Sequence, residues 1–196
     1  MPPQGVCPEP MSWETLRLIV ADGSLEQMRR LGRSPETLQS YREFKARIAN
    51  FYASVRDMIM IKVFGREYEV NSENKFVAVE GTRATRATRA ATGPFFVPND
   101  FPYNVEPGIK HWLLWSDHAM RDGEVEAFLR SDPSASSADA RLTFVNPVEL
   151  QSIPDIHHVH VLLLFTDRAA EPAVGGDVDA PPPMTPERGV TPGPQL

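Results

Sequence analysis

The sequence is poor in cysteine, in excess positive charge and in long apolar runs. Its one cysteine, Cys7, has no partner in the chain, so no intrachain disulfide framework exists and a reducing compartment is expected. No His or Lys adjoins Cys7 to stabilise a thiolate, so an inert thiol is the simpler reading. Twenty Lys and Arg against 26 Asp and Glu leave a net charge of −6, which argues against a nucleic-acid partner, since that needs a basic face. The longest apolar run, Val161 to Phe165, falls far short of the roughly 20 residues of a membrane helix. The opening MPPQGVCPEPMS has neither the basic nor the apolar stretch of a signal peptide. Together these absences predict a cytoplasmic protein with no membrane partner.

What is present suits one domain. A hydrophobic content of 41% in 196 residues is ordinary for a globular chain with length left over for tails. Residues 1–11 carry four prolines and no periodicity, and read as a flexible lead. Ser12 offers an N-cap to a short helix with apolar Trp13, Leu16, Ile19 and Val20, and Ser24 with Gln27 opens a second through Leu31. Ser34-Pro35-Glu36 starts the strongest helix, in which Leu38, Tyr41, Phe44, Ile48, Phe51 and Val55 recur every three or four residues. That stripe is expected to face the core, with Arg42, Lys45, Arg47 and Asn50 toward water. Met58 to Phe64 fits either a helical extension or a buried strand.

Beyond residue 94 the pattern changes to strands and turns. Phe95–Val97, His111–Trp115, Leu142–Val145 and His157–Phe165 read as strands, Glu124–Leu129 as a helix and SDPSASSAD as a loop. His157–Phe165 is apolar on both faces and should be central in a sheet. The fold class is therefore α+β, with N-terminal helices followed by a mainly antiparallel sheet. The domain is expected over 12–168, interrupted by the low-complexity TRATRATRAAT at 82–92. A disordered tail with seven prolines follows at 169–196.

Strand parity places His158 and His160 on one face and His157 on the other. Burial beside Ile156, Leu162 and Leu164 would keep both imidazoles neutral, the form required of a nucleophile, a base or a metal ligand. His158 and His160 are the candidate catalytic pair, although two satisfied structural histidines explain the pattern about equally well. His111 joins them only if its strand lies beside theirs. The turn-rich PNDFPY at 98–103 is expected to wall the same pocket, with Asn99, Asp100, Tyr103, Asn146, Gln151 and Ser152 as candidate binding residues.

The stretches MRRLGRSPETLQSYREF, PNDFPYNVEPGIKHWLLWS and TFVNPVELQSIPDIHHVHVLLLF resemble, in that order, the N-acetylglucosamine-induced protein family, a fungal-type domain of unknown function. The resemblance spans roughly 13–165 and implies a cytoplasmic protein linked to amino-sugar metabolism, with no assigned reaction. A weaker resemblance is to the histidine-triad superfamily: Asn99, Pro102, Gly108 and His111 echo its first half, and Gln151-Ser152-Ile153-Pro154 with His158-Val159-His160 its second. In one register Leu162 replaces the third histidine, and in the other Ile156 replaces the first.

Three functions follow. A histidine-based phosphoryl or nucleotidyl transferase or hydrolase would act on a nucleotide or sugar phosphate. A metal protein would use His111, His158 and His160 as ligands, though no carboxylate is placed to join them. A non-catalytic binding or regulatory protein would keep the histidines for structure. Cofactor and oligomeric state are open at this level.

Overall fold

Four helices begin at a serine. Ser12, Ser24, Ser34 and Ser54 are extended, and each side-chain oxygen accepts the backbone N–H three residues on. They open α1 (Trp13–Asp22), α2 (Leu25–Met28), α3 (Pro35–Ile48) and α4 (Val55–Lys62). The computed structural model describes residues 5–80 and 94–167. The stretch 82–92, Arg168 and the tail at 169–196 lie outside the described residues.

The long stripe of α3 does not run on to Val55. Its helix ends at Ile48 because the chain there is claimed by a strand: Phe76 N–H donates to Phe51 O at 2.7 Å and Ala53 N–H to Phe76 O at 3.0 Å. Ser54 then restarts the chain as α4, so Met58–Ile61 are helical and buried. Asp57 ties the pieces together, accepting from Ser54 Oγ at 2.6 Å and from Ala78 N–H at 2.9 Å. The strand is β2 (Phe76–Ala78), which pairs with β1 (Tyr68–Val70) in a hairpin that periodicity did not reveal.

The main sheet holds β3 (Phe95–Pro98), β4 (Ile109–Ser116), β5 (Ala140–Phe144) and β6 (His157–Leu164). All pairs are antiparallel and the order is β3-β4-β6-β5, so the two long strands are central, as their two-sided apolar pattern requires. Between β4 and β5 run α5 (Asp122–Ser131) and the four-residue α6 (Pro133–Ser136). The latter replaces the expected loop because Asp132 caps it and Pro133 fits its first turn.

One face of the sheet packs Leu114, Val161 and Leu163 against Val125 and Leu129 of α5. Burying each of those leucines is worth about 1.5–3 kcal/mol. The other face divides: Trp115 and Ile156 meet α3 and α4, while Ile109 and Leu162 meet α1 and α2. His111, His158 and His160 occupy the strip between, so the observed α+β fold sets all three on one buried face.

Two backbone details fix the approach to this strip. Gly108 precedes β4 at φ +90°, and a Cβ there would lie 2.8 Å from Phe165 O. Gly108→Ala should therefore cost about 1–3 kcal/mol from backbone strain, read as a lower midpoint in urea; an unchanged midpoint would show that the turn relaxes. The other detail is at the N-terminus, where residues 5–11 are not the free lead that their prolines implied. Val6 bridges Arg33, Met11 bridges Val105, Cys7 N–H donates to Arg33 O at 2.8 Å, and Arg33 N–H donates to Gly5 O at 2.9 Å. Gly32 allows this approach, since a Cβ there would sit 3.0 Å from Cys7 N and Gly5 O.

Candidate functional site

Register brings the histidines together. In the β4–β6 ladder Leu113 faces His160 and Trp115 faces His158, so His111 lies diagonally across from His160. Their rings form a chain whose protons can be assigned from one fixed donor. The backbone N–H of Tyr103 donates to His111 Nδ1 at 3.1 Å, so that nitrogen carries a lone pair and the proton of His111 is on Nε2. His111 Nε2–H then donates to His160 Nδ1 at 2.9 Å, which puts the proton of His160 on Nε2.

That last proton sets the amide of Asn146. One end of the amide lies 3.0 Å from His160 Nε2 and 2.9 Å from the Tyr103 hydroxyl. With Nδ2 at that end, two donors would confront each other, so the half-turned amide, with its oxygen there, is the consistent one. Gln151 Nε2 donates to Asn146 O at 2.8 Å and holds the residue in place. Tyr103, Phe144 and His160 stack nearly parallel around the chain.

Burial, and behind it the Arg33 charge, pushes His111 down to about 3. Burial likewise drives His160 well below its ordinary range, with His111 next in effect. Both are neutral at pH 7, and both ring nitrogens of each are engaged.

His158 differs. Its Nδ1–H donates to Ile156 O at 2.8 Å, which leaves the lone pair on Nε2. Nε2 has no hydrogen-bond partner among the described residues, and it is not among the buried polar atoms sealed without one. It opens onto a cavity of about 270 Å³. Trp115 packs against the ring at 4.7 Å between centroids, and burial lowers its pKa, so this imidazole too is a neutral acceptor.

The cavity lies between the sheet face, α3, α4, the 98–103 turn and the loop after β5. Of the residues singled out in the sequence, His158, His160, Asn99, Asp100, Tyr103, Asn146 and Ser152 line it. His111 and Gln151 stand behind it, bonded to His160 and Asn146. Asn99 Oδ1 accepts Phe101 N–H at 3.0 Å, which forms the turn, while its Nδ2 lies 3.4 Å from both ring nitrogens of His111, too far to bond either well. The sequence reading missed Arg33, Tyr41, Lys45, Lys62 and Trp115, which also line the cavity. The helical stripe holding Tyr41 and Phe44 was its only signal, and that stripe serves wall and core at once. Among the described residues no three His, Cys, Asp or Glu gather closely enough to hold a metal. His111 and His160 spend their facing nitrogens on each other, so they cannot be two ligands of one ion in this arrangement.

The family model described as "Protein of unknown function (DUF3605)" matches residues 12–164. The chain belongs to that family. The uncharacterized protein YPL067C of Saccharomyces cerevisiae is 33% identical over 168 residues, 78% of each chain. N-acetylglucosamine-induced protein 1 of Candida albicans is 23% identical over 183 residues, 81% of this chain and 70% of its own. A crystal structure of a protein called HTC1 agrees with a TM-score of 0.54 at 30% identity, over 79% of this chain and 85% of that one. The resemblance to the N-acetylglucosamine-induced proteins is thereby shown, while the histidine-triad echo finds no support among these matches. The DUF3605 match includes every histidine of the site and Arg33, and begins after residues 5–11. No helix among the described residues is long and apolar enough to cross a membrane.

Proposed function

We propose that this DUF3605 protein is an intracellular small-molecule enzyme in which His158 acts on a ligand held in the cavity, as general base or as nucleophile. One observation carries the reading: of three buried imidazoles on one face, His158 alone keeps a lone pair turned to an open space. His160 and His111 then serve as scaffold, fixing Tyr103 and Asn146 at the cavity wall. An imidazole that is neutral, with a free lone pair, can abstract a proton or attack an acyl or phosphoryl centre at neutral pH.

The name of the Candida relative ties that protein to N-acetylglucosamine, and we extend the tie here to a metabolic setting rather than to a free sugar as ligand. Each hydroxyl of a bare sugar needs a polar partner, and walls of Phe44, Met58, Ile59, Val97, Leu113 and Ile153 offer few.

Diethyl pyrocarbonate, which acylates accessible neutral imidazoles, tests the assignment. Mass spectrometry of the treated native protein should find His158 modified along with the exposed His118, while His111 and His160 stay unmodified. His158→Phe keeps an aromatic ring against Trp115, so stability should fall by only about 1 kcal/mol while turnover is lost. Modification of His160 in preference to His158 would end this reading.

A further inference from the structure

The cavity's charge runs opposite to that of the chain. The protein carries a net −6, yet Arg33, Lys45 and Lys62 line the cavity against one acid, Asp100. Arg33 is firmly placed. Its backbone is paired on both sides with residues 5–7, its Nε donates to Phe101 O at 2.9 Å, and its Cζ lies 4.4 Å from the centroid of the Tyr41 ring. Those contacts use the backbone, one nitrogen and one face of the guanidinium. The two terminal nitrogens have no partner, and the residue has no carboxylate, among the described residues. A half-buried arginine with its fork unspent is preorganised to meet an anion. Its charge reaches inward, depressing His111 and His160.

We propose that the cavity's ligand bears an oxyanion, a carboxylate or a phosphate, that docks on the Arg33 fork while an apolar body runs inward toward His158. This rests on the reading that the cavity receives a small molecule. The planar fork matches two oxygens of one acid group, Lys45 on the exposed face of α3 adds attraction at the mouth, and the Tyr41, Phe44 and Phe101 cluster flanks the body. An uncharged ligand of the same shape would leave the fork unpaired, so selection for charge follows from the geometry.

Three probes with one naphthalene body separate the contributions: neutral naphthol, naphthoate and naphthyl phosphate, each titrated into the full chain by calorimetry. Both anions, or the one whose acid group fits, should bind the wild type at least about tenfold tighter than naphthol, or about 1.4 kcal/mol. Arg33→Gln should erase that preference with naphthol unchanged, Arg33→Lys should keep part of it, and about 0.5 M salt should reduce it. Should Arg33→Gln fail to fold, Lys45→Glu at the exposed rim must weaken the anions and spare naphthol. The stronger of the two anions names the acid group. Naphthol binding as tightly as both anions, or a preference that survives Arg33→Gln, overturns this inference and leaves the cavity reading standing. Failure of all three probes overturns both.

Discussion

Replacing His160 by alanine should lower the stability of this protein by about 3–5 kcal/mol, because two buried partners lose their bonds at about 1–3 kcal/mol each and a ring-sized void is added. The His111 Nε2–H would face the void, and Asn146 would lose the donor that orients it. The stacks on Tyr103 and Phe144 would go as well. In a chain of this size that is a fall of roughly 6–20 °C in melting temperature, measurable by circular dichroism. The contrast with His158→Phe is the useful part: one histidine chiefly holds the fold and the other chiefly faces the ligand. Equal stability losses in the two variants would erase that division of labour.

Acid should unfold the protein well before most carboxylates protonate. His111 and His160 are held neutral in the fold, His111 down to about 3, whereas in the unfolded chain each takes up a proton near its ordinary pKa of about 6.5. Below that value the unfolded state binds more protons than the native state, so stability drops as pH drops. The stabilisation is complete above about pH 6.5 and is lost progressively down toward the folded pKa, at about 1.4 kcal/mol per pH unit for each histidine. His111 alone over two units amounts to about 3 kcal/mol, a large share of the stability of many domains, and His160 adds to it in the same direction. Urea midpoints should be flat from pH 8 to 7 and fall steeply from 6.5 to 4.5. A midpoint that holds constant down to pH 5 would mean that the chain of imidazoles accepts protons without unfolding.

The parts of this molecule written in local chemistry could be read from the sequence. Ser12, Ser24 and Ser34 cap helices where their spacing said they would, and strand parity put His158 and His160 on one face. What could not be read depends on pairing between distant segments. The break after Ile48 is imposed by Phe76, about 28 positions along the chain, and no propensity at 49–54 announces it. The neighbourhood of His111 and His160 follows from a register 49 residues apart, which a sequence states only as a condition. Nor could proton logic be applied before Tyr103 N–H was seen to point at His111. Arg33 reads as an ordinary charge beside a helix start until the segment at 5–7 and the carbonyl of Phe101 close around it.

That closure makes residues 5–7 a splint for the cavity's anchoring charge. They do not line the cavity, yet the pose of Arg33 depends on them, and they precede the stretch that defines the family. Relatives could thus differ in ligand preference through the few residues before the shared core while every pocket residue stays the same. A fragment trimmed to residues 12–164 would keep its sheet and its histidines but hold its arginine loosely.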